Sequence, residues 1–195
     1  MSDLVRGADG LERCGWAGST PDYSAYHDTE WGAPIRTDDG LYERLTLEAF
    51  QSGLSWLTIL RKRQAFRAAF AGFSIDAVAE FTDADAERLL SDAGIVRNRA
   101  KIEAAIANAR AAQQLPGGLG AVLWSFAPDP AGRPRPARLA DVPATTPESV
   151  AMARALKRLG FRFVGPTTAY ALMQATGMVD DHLVGCQVRP DGSRD

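Results

Sequence analysis

An all-α fold is the architecture this sequence predicts, on three observations. Well-capped segments with helical periodicity recur along the chain, no alternating strand pattern rivals them, and five of the eleven prolines fall in one stretch, 127–146. The capped segments come first. Ser74 precedes "IDAVAEF", and Thr82 opens "DADAERLLSDAG", which stops at Gly94. Hydroxyl side chains at such positions accept from the orphan amides of a first helical turn. From Asn98 onward Ile102, Ala105, Ile106 and Ala109 follow the i, i+3, i+4, i+7 spacing of one buried helix face. Thr146, Pro147 and Gly160 frame another helix as cap, first residue and stop, with Val150, Ala153, Leu156 and Leu159 as its stripe. Further helices are expected around 39–52, 56–70 and 167–176, for six to nine in all. The proline-rich stretch reads as a long irregular connection. Residues 1–11 are expected to be a flexible tail, 12–189 a single domain, and 190–195 a second tail.

Composition narrows the function classes. At 195 residues and 46% hydrophobic content the chain is long enough for one full core. No apolar run reaches the length of a membrane span, and "MSDLVRGADG" has no apolar segment of the secretory kind, so the expectation is a cytoplasmic protein without a membrane partner. Two cysteines are too few for a disulfide framework. The net charge of −2 hides uneven patterning. Stretch 57–70 holds Arg61, Lys62, Arg63 and Arg67 without an acid, stretch 149–179 holds Arg154, Lys157, Arg158 and Arg162, and Arg97, Arg99 and Lys101 lie between them. Phosphate contacts act within about a Debye length, so local stretches outweigh the sum. Each stretch is equally readable as a solvated helix face.

The two cysteines and two histidines divide between the chain ends: Cys14 and His27, then His182 and Cys186. A Cys2His2 set suits a closed, tetrahedral structural zinc site with no position left for a reactive water. The spacing is not that of a standard finger, and two buried cysteines with two satisfied histidines is the competing reading. A metal would clip the N-terminal segment to the C-terminal one and close a loop of most of the chain.

Six of the eight Trp and Tyr residues precede position 57: Trp16, Tyr23, Tyr26, Trp31, Tyr42 and Trp56. Beside them, Glu48 falls at the margin of the apolar stripe formed by Leu41, Tyr42, Leu45 and Ala49. One reading pairs it with Arg44 four residues earlier. The other is a partly buried carboxylate that requires a cationic or hydrogen-donating partner. A carboxylate among aromatic rings suits a flat, positively charged ligand. Alkylated purines are of this kind, and with the basic stretches they point to a damaged base turned out of DNA.

The segments "RCGW", "YHDTEWG", "LEAFQSGLSW", "DAGIVRNRAKI", "LWSF", "GFRFVGPTTAY" and "DHLVGC", in that order across 12–186, resemble the DNA-3-methyladenine glycosylase I family. The resemblance implies a helix-hairpin-helix glycosylase fold of two helical lobes, one of them around 74–115, with the hairpin at 93–98 binding a backbone phosphate. It makes Cys14, His27, His182 and Cys186 ligands of one structural zinc that ties the chain ends together. Tyr23, Tyr26, Glu48 and Trp56 become the base pocket, with Glu48 the recognition and catalytic carboxylate. Gly53 and Leu54 become the turn that approaches the gap left by the flipped base, and Gly94, Arg97, Arg99 and Lys101 further DNA contacts. The implied reaction is hydrolysis of the N-glycosidic bond of 3-methyladenine in double-stranded DNA. It yields the free base and an abasic site, without strand cleavage, by a monomer in the cytoplasm at the nucleoid. Phe50, after Ala49, and Ala171 stand where some members carry small, polar or hydroxyl residues. Asp180 and Asp181, beside a metal ligand, read as supporting or capping groups.

Overall fold

The computed structural model describes residues 3–188, and among them nine α-helices supply almost all of the regular structure. They are α1 (Pro21–Thr29), α2 (Asp38–Gln51), α3 (Trp56–Ala69), α4 (Ile75–Ala79), α5 (Asp83–Ser91), α6 (Arg99–Gln113), α7 (Gly118–Trp124), α8 (Pro147–Arg158) and α9 (Pro166–Ala175). The caps act where their chemistry placed them. Ser74 accepts from the amide of Ala77, Asn98 from that of Lys101, and Thr146 from that of Ser149, each satisfying a first-turn donor.

Helix α2 is the central element, in contact with α3, α6, α7 and α9. Leu41, Tyr42, Leu45, Leu47 and Phe50 on it are fully buried, and the Tyr42 hydroxyl donates to the carbonyl of Ala105 on α6 at 2.9 Å. Phe50, Phe66, Phe70 and Phe73 form a chain of ring contacts at 4.8 to 6.2 Å that ties α2 to α3 and the turn beyond it. Burying such a side chain is worth about 1.5–3 kcal/mol, so this seam contributes much of the gross hydrophobic stabilisation there. Helix α4 packs on α6, and α8 on α9.

Two helices were not legible in the sequence. In α1 the inward face carries Tyr26 and His27 in place of aliphatics, so no amphipathic stripe marks it. In α7 the run begins with glycines, Gly118 in the left-handed region at φ 85°. The expected flexible tail is also corrected: β1 (Leu4–Arg6) pairs antiparallel with β2 (Glu12–Cys14) in the register Leu4 to Cys14. Arg6 pairs with Glu12 at 2.7 Å across the strands, and the carboxylate of Asp3 accepts from the amide of Leu139, so this segment is laid against the proline-rich connection. Three-residue strands are too short to show an alternation. The expected tail at 190–195 lies outside the described residues.

Candidate active site and metal centre

The hairpin delivers Cys14 to the protein interior, helix α1 delivers His27, and the segment after α9 delivers His182 and Cys186. All four are buried, and their ligand atoms lie within 4.8 Å of one another. His27 Nε2 is 3.3 Å from His182 Nδ1 and 3.4 Å from the Cys186 sulfur. His182 Nδ1 stands 3.7 Å from Cys186 Sγ and 4.0 Å from Cys14 Sγ. Around a tetrahedral cation at ordinary sulfur and imidazole bond lengths, ligand atoms stand roughly 3.3–3.8 Å apart, so the four are able to hold a metal ion with little adjustment. The hydrogen bond from Cys14, with those of both imidazoles, holds the Cys186 thiol far below its usual range, which favours a thiolate ligand.

The outer nitrogens of both rings are fixed as well. His27 Nδ1 meets Asp28 Oδ1 at 2.9 Å, and His182 Nε2 donates to the carbonyl of Trp31 at 3.1 Å. Arg13 in turn clamps Asp28 at 2.7 Å and Asp9 at 2.6 Å. These contacts set ring orientation and tautomer, as metal-binding histidines require.

Immediately beside the cluster is a cavity of about 540 Å³. Trp16, Tyr23, Tyr26 and Trp31 come to it from the N-terminal region, Glu48 and Gln51 from α2, and Trp56 from α3. Ser19 of the N-terminal region, Leu139 and Val142 of the proline-rich connection, Ala171 and Gln174 of α9, and Asp181 complete its lining. The aromatic walls interlock edge to face: Trp16 meets Trp31 at 5.1 Å and Tyr23 at 5.7 Å, and Tyr26 lies 5.4 Å from Trp56. The hydroxyl of Tyr23 accepts from the amide of Leu57 and so also anchors the first turn of α3.

Glu48 is 7% exposed, and no group among the described residues hydrogen-bonds its carboxylate. The sequence left a pair with Arg44 open. Arg44 instead joins Arg63 on Glu30, at 2.7 and 2.5 Å, and reaches Glu48 only through the field. Burial pushes the Glu48 carboxyl up to about 8, with Arg44 opposing. Nearby, the buried Trp56 Nε1–H finds no acceptor. Polar groups buried without partners are costly, and they cluster where a ligand is to complete them. The Tyr26 phenol is held above its usual range by burial, so it stays a neutral donor.

The turn between α2 and α3 carries the other candidates. Gly53 is left-handed at φ 80°, and Leu54 beside it is 41% exposed, an apolar side chain held out from the surface. Lys101 is not at the surface with Arg97 and Arg99. It is buried, and its ammonium donates to the carbonyls of Phe50 and Ser52, bracing that turn from below. Gly94 likewise faces inward: its amide donates to Asp92, and an added Cβ would stand 3.0 Å from that of Ala65 on α3. Arg97 and Arg99 are exposed, Arg99 paired with Glu87 at 2.7 Å. The basic run on α3 is mostly engaged in intramolecular pairs, with exposed Arg61 on Asp22, Arg63 on Glu30, Arg67 on Glu43, and Lys62 on the carbonyls of Ala93 and Gly94. In the proline-rich connection Arg133, Arg135 and Arg138 are paired with Asp181, Asp180 and Asp141.

Seven lining residues had no role in the cavity assigned from the sequence, Trp16, Ser19, Trp31, Gln51, Leu139, Val142 and Gln174, and Asp181 was expected only as a supporting or capping group. Trp16 and Trp31 had a signal, since each lies within four positions of a metal-ligand candidate. Leu139 and Val142 had none.

The structure thus sets a buried carboxylate in an aromatic cavity, beside a Cys/His cluster able to hold a metal ion, within a mostly helical fold. The profile described as methyladenine glycosylase matches residues 16–190. DNA-3-methyladenine glycosylase 1 of Escherichia coli (strain K12) is 46% identical over 183 residues, 92% of this chain and 98% of that protein. The crystal structure of a 3-methyladenine DNA glycosylase I superposes with a TM-score of 0.83 at 44% identity, over 89% of this chain and 97% of that one. A single-residue variant of such an enzyme, solved in complex with 3-methyladenine, matches at 32% identity and a TM-score of 0.83, over 94% of this chain and 99% of that one. The chain belongs to the methyladenine glycosylase family and is by that membership a hydrolase of N-glycosyl bonds.

Proposed function

We propose that the protein flips 3-methyladenine out of alkylated double-stranded DNA and hydrolyses its N-glycosidic bond, releasing the free base and leaving an abasic site. The observation that carries this reading is Glu48, a buried carboxylate without a hydrogen-bond partner in a cavity of Trp and Tyr rings. A methylated, electron-poor purine supplies the N–H donors and the positive charge that this carboxylate lacks, and the rings stack on its faces. Normal adenine carries no such charge, so it gains less from the same site. Methylation at N3 has already weakened the bond to the sugar, because the base leaves neutral. Glu48 and the aromatic walls therefore need only to hold the nucleotide extrahelical and oriented while water adds at C1′. The nucleophile in this reading is water, and no strand cleavage follows.

Cys14, His27, His182 and Cys186 hold one zinc ion in this reading. Thiolate and imidazole ligands in equal number select zinc, and a four-residue set leaves no open position for water. The ion's contribution is structural. Leu54, raised on the Gly53 turn, fills the gap left by the flipped base, and the 93–98 turn with Arg97 and Arg99 meets the backbone. Lys101 braces the Leu54 turn and makes no phosphate contact.

Three of the four tryptophans line the cavity, so fluorescence reports on its occupancy. Free 3-methyladenine should quench the emission saturably, and adenine at the same concentration should not. Equal quenching by the two would contradict recognition of the methylated base by shape and hydrogen bonding.

A further inference from the structure

The 127–146 connection is more than a spacer, because it supplies one wall of the base cavity through Leu139 and Val142. Its own secondary structure shapes that wall only locally: Leu139 opens the short turn Leu139–Asp141, the amide of Val142 donates to the Leu139 carbonyl, and Arg138 pairs with Asp141 across the turn. It is held from outside. The Arg133 guanidinium donates to Asp181 at 2.6 Å and also to the hydroxyl of Tyr170. Asp181 is 4% exposed, and its second oxygen accepts from Tyr170 and from Gln174 at 2.8 Å. Asp181 and Gln174 themselves line the cavity. One residue pair further on, Arg135 pairs with Asp180 at 2.6 Å, and the amide of Val184 donates to the carbonyl of Pro136. Leu139 and Val142 pack against Cys14, Leu183 and Cys186.

We propose that Arg133 is a positioning residue for base recognition: its ion pair with Asp181 straps the proline-rich connection across the cavity, and Leu139 and Val142 so held determine which methylated bases fit. The strap is fastened to residues next to the metal ligands, so the metal clip and the fourth wall of the cavity form one mechanical unit. This inference rests on the reading of the cavity as the base site.

The test is binding of free 3-methyladenine, followed by tryptophan quenching, with parallel release of 3-methyladenine and 7-methylguanine from methylated duplex DNA. Parent enzyme, R133M, R133K and L139A are compared at matched zinc content. R133M should weaken base binding by about ten- to a hundredfold, the range that follows a displacement of about 1 Å in a binding wall, with a larger change in KM than in kcat. R133K, which keeps a charge facing Asp181, should bind more tightly than R133M. L139A leaves both ion pairs in place and keeps the test open if R133M fails to fold. It should raise the share of the bulkier 7-methylguanine among released bases. Parent-like affinity and parent-like base selectivity in the folded variants would overturn the proposal, as would equal affinity of R133K and R133M. Failure of the parent enzyme itself to bind 3-methyladenine would instead overturn the reading of the site.

Discussion

His182 donates from Nε2 to the carbonyl of Trp31 at 3.1 Å, and the two rings meet edge to face at 4.7 Å. One is a metal-ligand candidate and the other a wall of the aromatic cavity. Trp16 repeats the relationship at 5.2 Å from His27. The Cys/His cluster is thus the backing of the aromatic wall, so an ion held there would act on the cavity through packing.

Loss of the metal should therefore cost affinity as well as stability. A chelator, or C186A, removes a clip between chain positions more than a hundred residues apart. A cross-link of that span is worth about 3–5 kcal/mol, or roughly a 6–20 °C fall in Tm for a chain of this length. Differential scanning calorimetry checks the first part, and loss of 3-methyladenine quenching in the same sample checks the second.

The Glu48 carboxyl gives a prediction whose sign is fixed. Its pKa rises from about 4.5 unfolded to about 8 folded. The folded state then binds more protons between those values, so stability falls as pH climbs through that window and levels off above it. E48Q removes the ionising group. Its Tm should match the parent near pH 5 and exceed it by several degrees at pH 9, while its excision rate falls by about a hundredfold or more. Melting curves across pH 5 to 9 test this, and a constant Tm difference would contradict it.

Much of this was written in the sequence. Caps and apolar stripes marked α4, α5, α6 and α8, because a hydroxyl before an apolar stripe is local chemistry, and helices at 39–52, 56–70 and 167–176 were expected without such cap signals. Rare residue types placed at the two ends made Cys14, His27, His182 and Cys186 conspicuous, and the resemblance in ordered motifs supplied their common role. What escaped had no local signal. Helix α1 devotes its inward face to the site, Lys101 looks like any exposed lysine until its carbonyl partners are seen, and Leu139 reaches the cavity only through tertiary ion pairs.

Leu54 and the cavity should separate in experiment. L54A removes an exposed side chain, so the Tm should move by no more than about 0.5 kcal/mol equivalent, and free-base binding should stay at the parent value. Excision from duplex DNA should drop, because the side chain acts only when a base has left the stack. Parallel quenching and base-release assays decide it.

Lys101 and its neighbours should also separate. K101M strands the carbonyls of Phe50 and Ser52 and should cost about 1–3 kcal/mol of stability while leaving the salt dependence of DNA binding unchanged. R97A and R99A should keep the parent Tm and each reduce the slope of log K against log salt by about one. Binding isotherms from 50 to 200 mM salt distinguish the two behaviours.

The cavity is expected to select 3-methyladenine in DNA, with Glu48 doing the selecting. The most direct measurement is chromatography of the bases released from methylated duplex DNA by the parent enzyme and by E48Q. The expected result is enzyme-dependent 3-methyladenine without added 7-methylguanine from the parent, and a severe loss of that release in the folded E48Q protein. Release of both bases in comparable amounts, or undiminished release by E48Q, would contradict it.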